Sequence, residues 1–220
     1  CLNCFFGGIY INGMVVITII NIKEEKMLSD LFIENMIGQE IGDFTVTAYK
    51  DGEFFEVSKD DLKGKWSVFF FYPGDFTFVC PTELEDLAEN YEKFQKIGCD
   101  IYSVSTDSEF VHKAWADASP SIGKIKYTML SDRTRQLGEM FGVYVPEEGQ
   151  NLRGTFIINP DLKVSAYEIH DMGIGRDALS LLRKVEASQF VFEHGDKVCP
   201  AKWQPGDDTL TPGIDLVGKL

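Results

Sequence analysis

"FFFYPGDFTFVCPTELEDL", residues 69–87, runs from consecutive aromatic residues through a Pro-Gly-Asp loop to a lone cysteine, then a proline and a helical pattern. Together with Trp66, Ser67 and Val68, the first part is apolar on both faces, as a strand covered above and below must be. From Pro81 to Gly98 the residues Leu84, Leu87, Ala88, Tyr91 and Phe94 share one stripe, and the glycine ends it, which predicts a helix. Cys80 stands at the handover, with Pro81 expected at the first helical position. Unpaired N–H groups and the positive end of a helix dipole gather there, and both favour an anion such as a thiolate. The plainer reading of a free cysteine is a small buried hydrophobe. Thr77 would add a hydroxyl beside the sulfur, and Pro73 removes a backbone donor. Glu83, Glu85 and Asp86 suit the dipole but oppose a nearby thiolate, so a cation from elsewhere in the chain must compensate.

Outward from this stretch the pattern alternates. "CDIYSVSTD" (99–107) reads as the next strand and "SEFVHKAWADA" (108–118) as a helix. "GTFIINPD" (154–161) and "KVSAYEIH" (163–170) read as two strands joined at a Pro-Asp turn, and "GRDALSLLRKVEASQFV" (175–191) as a long helix. The order describes an α/β fold with a central sheet. The remaining candidates have ordinary readings. Cys99 alternates with Ile101 and belongs to the core. Trp115 is a packing residue, and His112, His170 and His194 lack the spacing of metal ligands and are surface or structural.

At 220 residues, 44% hydrophobic and 25% charged, the chain can bury a real core without a disulfide framework. Thirty-five acidic against 21 basic residues give a net charge of −14, which repels phosphate backbones and anionic lipid, so neither nucleic acid nor membrane is expected as a partner. Five cysteines at irregular spacing point to reduced thiols and a cytoplasmic setting. There is no dinucleotide glycine fingerprint, metal spacing or haem C-x-x-C-H, so no cofactor is expected. Residues 1–26 differ in composition from the rest, lack an initiator Met, and place Lys23-Glu24-Glu25-Lys26, encoded almost wholly by purines, directly before Met27. They are expected to be a translated, disordered leader containing a ribosome-binding site, with the Cys1/Cys4 C-x-x-C a chance pair. The apolar run from Ile9 to Ile22 is too short and interrupted to span a bilayer comfortably.

"PGDFTFVCPTE" carries the P-x-x-x-T-x-x-C signature of the peroxiredoxins, and from about residue 37 to the end the chain resembles that family. "VCPAKWQPGDDTL" (198–210) is similar to the resolving-cysteine segment of its typical two-cysteine class, and the terminal "DLVGKL" to bacterial members of the alkyl hydroperoxide reductase type. The resemblance implies a thioredoxin-like fold, a central mixed sheet flanked by helices, over residues 27–190, followed by an arm over 191–220. It implies a thiol peroxidase acting on hydrogen peroxide and small alkyl hydroperoxides. Cys80 would be the peroxidatic thiolate, Thr77 would position the peroxide oxygen and Pro73 would keep water off the sulfenate. Arg153, in "LRGTFII", would be the compensating cation, held by Glu83 and by Arg176 of "GIGRD". Cys199 would resolve the sulfenic acid as an intersubunit disulfide in a homodimer, and similar proteins build decamers from five dimers. The implied electron donor is a flavoprotein disulfide reductase or thioredoxin.

Two other classes are open to comparison. A disulfide reductase would need C-x-x-C, but the position three after Cys80 is Glu83. A holdase chaperone would survive Cys80→Ser, whereas peroxidase turnover would not. The chain also departs from relatives prone to overoxidation: "SPSIGKIKY" (119–127) replaces their G-G-L-G insertion, and the tail ends in "GIDLVGKL" without a Tyr-Phe motif. Ready local unfolding and resistance to sulfinic acid formation are expected.

Overall fold

A computed structural model describes residues 35–219 and, as backbone, an antiparallel hairpin of β1 (Gly8–Ile11) and β2 (Met14–Ile17). The expectations for a leader over residues 1–26 and for Cys1 and Cys4 otherwise lie outside the described residues. The main unit begins at Met36 and is built on a seven-stranded sheet. Its strands are β3 (Thr45–Lys50), β4 (Glu53–Ser58), β5 (Trp66–Phe71), β6 (Cys99–Ser105), β7 (Thr128–Ser131), β10 (Arg153–Ile158) and β11 (Val164–His170), in the spatial order β11-β10-β5-β6-β7-β3-β4. The short pair β8 (Tyr144–Val145) and β9 (Gln150–Asn151) stands apart from it. β5, β6 and β7 run parallel, and the outer pairings are antiparallel, so the sheet is mixed.

β5 is buried along its whole length, as its two-faced apolar run requires. Val68 and Phe70 face one core, with Leu84, Leu87 and Phe94 of α1 (Cys80–Lys96) and Leu181 and Val185 of α4 (Ala178–Glu193). Phe69 and Phe71 face the other, against Phe44, Phe141 and Phe156. Burying each of these large side chains contributes about 1.5–3 kcal/mol. α1 ends where Gly98 takes φ +68°, a conformation only glycine adopts freely. Ser108 caps α2 (Glu109–Ala118) by accepting from Val111 N–H, and Asp177 caps α4 by accepting from Ser180 N–H. At the β10–β11 turn the Asn159 side chain accepts from Asp161 and Lys163 N–H, with Leu162 left-handed at φ +62°.

The β3–β4 hairpin, β7, the helix α3 (Gln136–Met140) and the β8–β9 pair go beyond the elements expected from the sequence. β3 and β4 form a hairpin around Asp51-Gly52, both with positive φ, the turn that an Asp-Gly pair between alternating residues announces. β7 and the five-residue α3 are too short to show a period.

β10 also contains a close approach between backbone and core. A Cβ on Gly154 would lie 2.7 Å from Val143 Cγ1 and 3.0 Å from Phe156 Cε2. The carbonyl of Gly154 also accepts from Arg176. Gly154→Ala is expected to destabilise the reduced protein by about 1–3 kcal/mol through overpacking. Urea unfolding followed by far-UV circular dichroism measures it, and an unchanged midpoint would show that Val143 yields without cost.

Candidate active site

Cys80 opens α1 at the carboxyl end of β5 and is fully buried. It occupies the first helical position and Pro81 the second, one place later than the sequence suggests for the proline. The missing N–H of Pro81 costs the helix nothing there. Because Cys80 and Glu83 are three apart in the first turn, they share a face.

The missing cation is Arg153, the first residue of β10. Its Nη1 donates to Glu83 Oε2 at 2.7 Å and to Cys80 Sγ at 3.4 Å, while Nε donates to the carbonyl of Met172 at 2.7 Å. Arg176 arrives from the loop before α4. Its backbone N–H and Nε both donate to Glu83 Oε1, at 2.9 and 2.8 Å, and Nη2 reaches Oε2 at 3.2 Å. Nη1 of Arg176 donates to the Gly154 carbonyl and to Thr155 Oγ1, and the guanidinium lies 3.4 Å over the Phe70 ring. Burial pulls Arg176 below the usual guanidinium range, and its hydrogen bonds to Glu83 oppose that shift. Glu83 is 2% exposed, Arg153 4% and Arg176 7%, so the three charges sit in low dielectric. Two cations against one carboxylate leave one positive charge, and the sulfur of Cys80 is the group it faces.

The other acidic residues that opposed a thiolate are occupied elsewhere. Glu85 pairs with Lys124, and Asp86 accepts from the N–H of Ala178. Pro73 is buried and Thr77 exposed on the loop before the helix. The Thr77 hydroxyl donates to the carbonyl of Gly74 at 2.8 Å, which leaves its oxygen free to accept.

Cys199 is not brought to this site. It is half-buried beside Ala187 of α4, in a groove with Arg183, Lys184, Val191 and Phe192. Burial pushes its thiol up, and Arg183 offsets part of the effect. α1 and α4 lie parallel, Asp86 level with Ala178 and Ile97 with Gln189, which sets Ala187 roughly 20 Å along the axis from Cys80. Cys99 is buried in the core, and burial holds its thiol far above the ordinary range. Cys80, Cys99 and Cys199 are all free thiols.

His112 has a partner that the sequence does not show. It lies buried on α2 with Nδ1 2.7 Å from Asp75 Oδ2 and Nε2 3.2 Å from the carbonyl of Leu130. Tyr72 donates to the other Asp75 oxygen at 2.7 Å. Trp115 packs against Tyr72 and Phe76, as a core residue should. His170 lies 3.4 Å from Glu168, and His194 stacks on Phe190. Among the described residues no group of three or more His, Cys, Asp or Glu could hold a metal ion, and no helix is long and apolar enough to cross a membrane.

A family model described as the AhpC/TSA family matches residues 37–167. The chain belongs to that family. A second model, the C-terminal domain of 1-Cys peroxiredoxin, matches residues 187–215, although here that segment includes Cys199. Alkyl hydroperoxide reductase C of Bacillus subtilis is 52% identical over 186 residues, covering 84% of this chain and 100% of that protein. The Staphylococcus saprophyticus protein of the same name is 54% identical over 188 residues, with the same coverage. Among solved structures, Enterococcus faecalis AhpC matches with a TM-score of 0.74 at 58% identity, covering 76% of this chain and 100% of that one. Reduced Plasmodium vivax 2-Cys peroxiredoxin matches with a TM-score of 0.78 at 32% identity, covering 83% and 96%. The fold is therefore thioredoxin-like, and this AhpC/TSA member is an enzyme, a peroxiredoxin of the alkyl hydroperoxide reductase C type.

The triad predicts its own stability effect. Glu83→Gln would leave two buried guanidinium charges without their carboxylate, and loss of about 3–5 kcal/mol is expected in the reduced protein. Equilibrium urea unfolding at neutral pH checks it; a variant as stable as wild type would mean that the arginines find other partners.

Proposed function

We propose that Cys80 reduces hydrogen peroxide and small alkyl hydroperoxides, and that Cys199 of a second subunit resolves the product. The observation that carries this reading is the uncompensated positive charge of the Glu83, Arg153 and Arg176 cluster, with Arg153 3.4 Å from Sγ. A thiolate there completes the charge balance. Its sulfur attacks the nearer peroxide oxygen; the S–O bond forms as the O–O bond breaks, and the electron pair of that bond leaves on the alkoxide or hydroxide. The leaving group takes the hydroperoxide proton, so the products are an alcohol or water and a Cys80 sulfenate, which a solvent proton converts to sulfenic acid.

Ionisation alone supplies little of the rate. An ordinary thiol is already a few per cent thiolate at neutral pH, so complete ionisation gains about thirtyfold at most. The larger effect comes from stabilising charge as the O–O bond breaks, which is the task of Arg153. Thr77, its proton committed to Gly74, accepts from the hydroperoxide O–H and orients it. Buried Pro73 keeps water from the sulfenic acid.

The resolving step attaches Cys199 sulfur to Cys80 sulfur and expels the sulfenic oxygen as water. Within one subunit the thiols are far outside the Cα separation of about 4.4–6.8 Å that a disulfide spans. A partner's arm over residues 191–220 is the better donor, and the first turn of α1 must unwind to expose Cys80. The homodimer is then the catalytic unit and a decamer of five dimers its assembly, working in the cytoplasm. A flavoprotein disulfide reductase or thioredoxin returns the two electrons.

One equivalent of hydrogen peroxide followed by non-reducing electrophoresis tests the scheme. Wild type is expected to give a dimer band that disappears in Cys80→Ser and in Cys199→Ser. A wild type that consumes peroxide without crosslinking would overturn the intersubunit step and leave Cys80 as the nucleophile.

The tail bears on overoxidation. Residues Ile214–Leu216 form a three-residue 3₁₀ turn, with Ile214 85% and Val217 73% exposed. Residues 119–127 also lack the G-G-L-G insertion of relatives prone to overoxidation, so the first turn of α1 is expected to open readily and disulfide formation to outrun a second oxidation. Mass spectrometry after turnover at low peroxide doses is expected to find sulfinylated Cys80 as a minor species; its dominance would refute this.

A further inference from the structure

The peroxide-orienting hydroxyl of Thr77 sits on a loop whose shape is imposed from beneath. Asp75, two residues earlier, has a completely buried side chain. A buried carboxylate must be satisfied, and both oxygens are, Oδ1 by Tyr72 and Oδ2 by His112. Its backbone N–H donates to Asp107 Oδ2 at 2.8 Å, and Ser105 holds the same oxygen at 2.9 Å. Phe76 comes next in the left-handed region at φ +55°, where a bulky residue stays only when its neighbours hold it. The Phe76 ring lies 5.8 Å from that of Trp115, and the Thr77 hydroxyl closes the turn onto Gly74. His112 and Trp115 are three apart on α2, so one helical face grips the loop twice. His112 is itself fixed, since both ring nitrogens meet acceptors.

We propose that His112 is a positioning residue for peroxide reduction, acting through Asp75 to set the Thr77 hydroxyl relative to the Cys80 sulfur. The proposal rests on Cys80 as the nucleophile and Thr77 as the group that orients the peroxide. It assigns α2, which contributes nothing to the Arg153 cluster, to the accuracy of the first chemical step. Displacement of an orienting group by about 1 Å is enough to cost on the order of a hundredfold, so a loosened loop is expected to show in the rate.

The test is a double-mutant cycle in the Cys199→Ser background, where oxidation by one equivalent of peroxide stops at the sulfenic acid and rapid quench reports that step alone. His112→Leu is expected to slow oxidation roughly tenfold, but by less than about threefold when Thr77 is already valine, since the two act through one contact. Alkylation of Cys80 by iodoacetamide, which needs no oriented O–H, is expected to change less than about twofold in the same variants. His112→Asn places an amide N–H where Nδ1 stood and should restore most of the rate. If His112→Leu does not fold, Asp75→Asn enters the same cycle in its place. Equal losses in both Thr77 backgrounds, or alkylation falling in step with oxidation, would overturn the proposal and leave His112 as scaffold. Failure of the parent Cys199→Ser protein to oxidise at Cys80 would instead overturn the reading of Cys80.

Discussion

The carboxylate of Glu83 ties together three segments that are far apart in the chain. Carried by the first turn of α1, it accepts charged hydrogen bonds from the first residue of β10 and from the loop entering α4. Two guanidinium groups would repel each other in so dry a place, and a carboxylate between them makes their burial tolerable. Such clusters contribute little to stability compared with apolar residues of the same volume, because desolvation offsets most of the attraction. Their use here lies in the charge left over. One cation remains unmatched beside Sγ, and on the proposed reading its field is in place before any substrate arrives and costs no reorganisation during the reaction.

The sheet fixes where that field points. β5 delivers Cys80 at its carboxyl end, where the chain must turn into a helix, and its neighbour β10 runs antiparallel, so the first residue of β10 lies at the same edge. Arg153 therefore reaches the helix start without a special loop. Gly154 next to it has no side chain because Val143 and Phe156 fill the space. The same residue offers its carbonyl to Arg176, so packing and charge placement constrain one position together.

The central strand and first helix are legible in the sequence because their periods are long and clear, and the helix ends where Gly98 says it should. The hairpin at residues 45–58 is absent from the expected elements although Asp51-Gly52 announces it, whereas β7 and α3 have too few residues for any period. At the site, the local sequence shows that a thiolate at Cys80 needs a cation, since three acidic residues come after it. It does not show which cation, because Arg153 lies seventy residues beyond Glu83. Resemblance supplies that residue and the geometry is consistent with it. His112 and Asp75, thirty-seven residues apart, form a pair that no spacing rule addresses; only the meeting of β5, its loop and α2 makes them neighbours.

Burial that holds the sulfur against Arg153 also keeps it from Cys199. On the proposed reading, the unmatched charge would attract a thiolate but not a neutral sulfenic acid, so the first step would remove part of what pins Cys80 in place. The turn it must leave is weakly built. Cys80 and Pro81 belong to the end of the helix whose N–H groups have no intrahelical partners, and Pro81 has no N–H at all. What closes the turn is the carbonyl of Val79, accepting from the backbone of Thr82 and Glu83 and from the Thr82 hydroxyl. On the proposed reading, unwinding that stops before Glu83 would release the sulfur while the carboxylate keeps its two arginines for the next turnover.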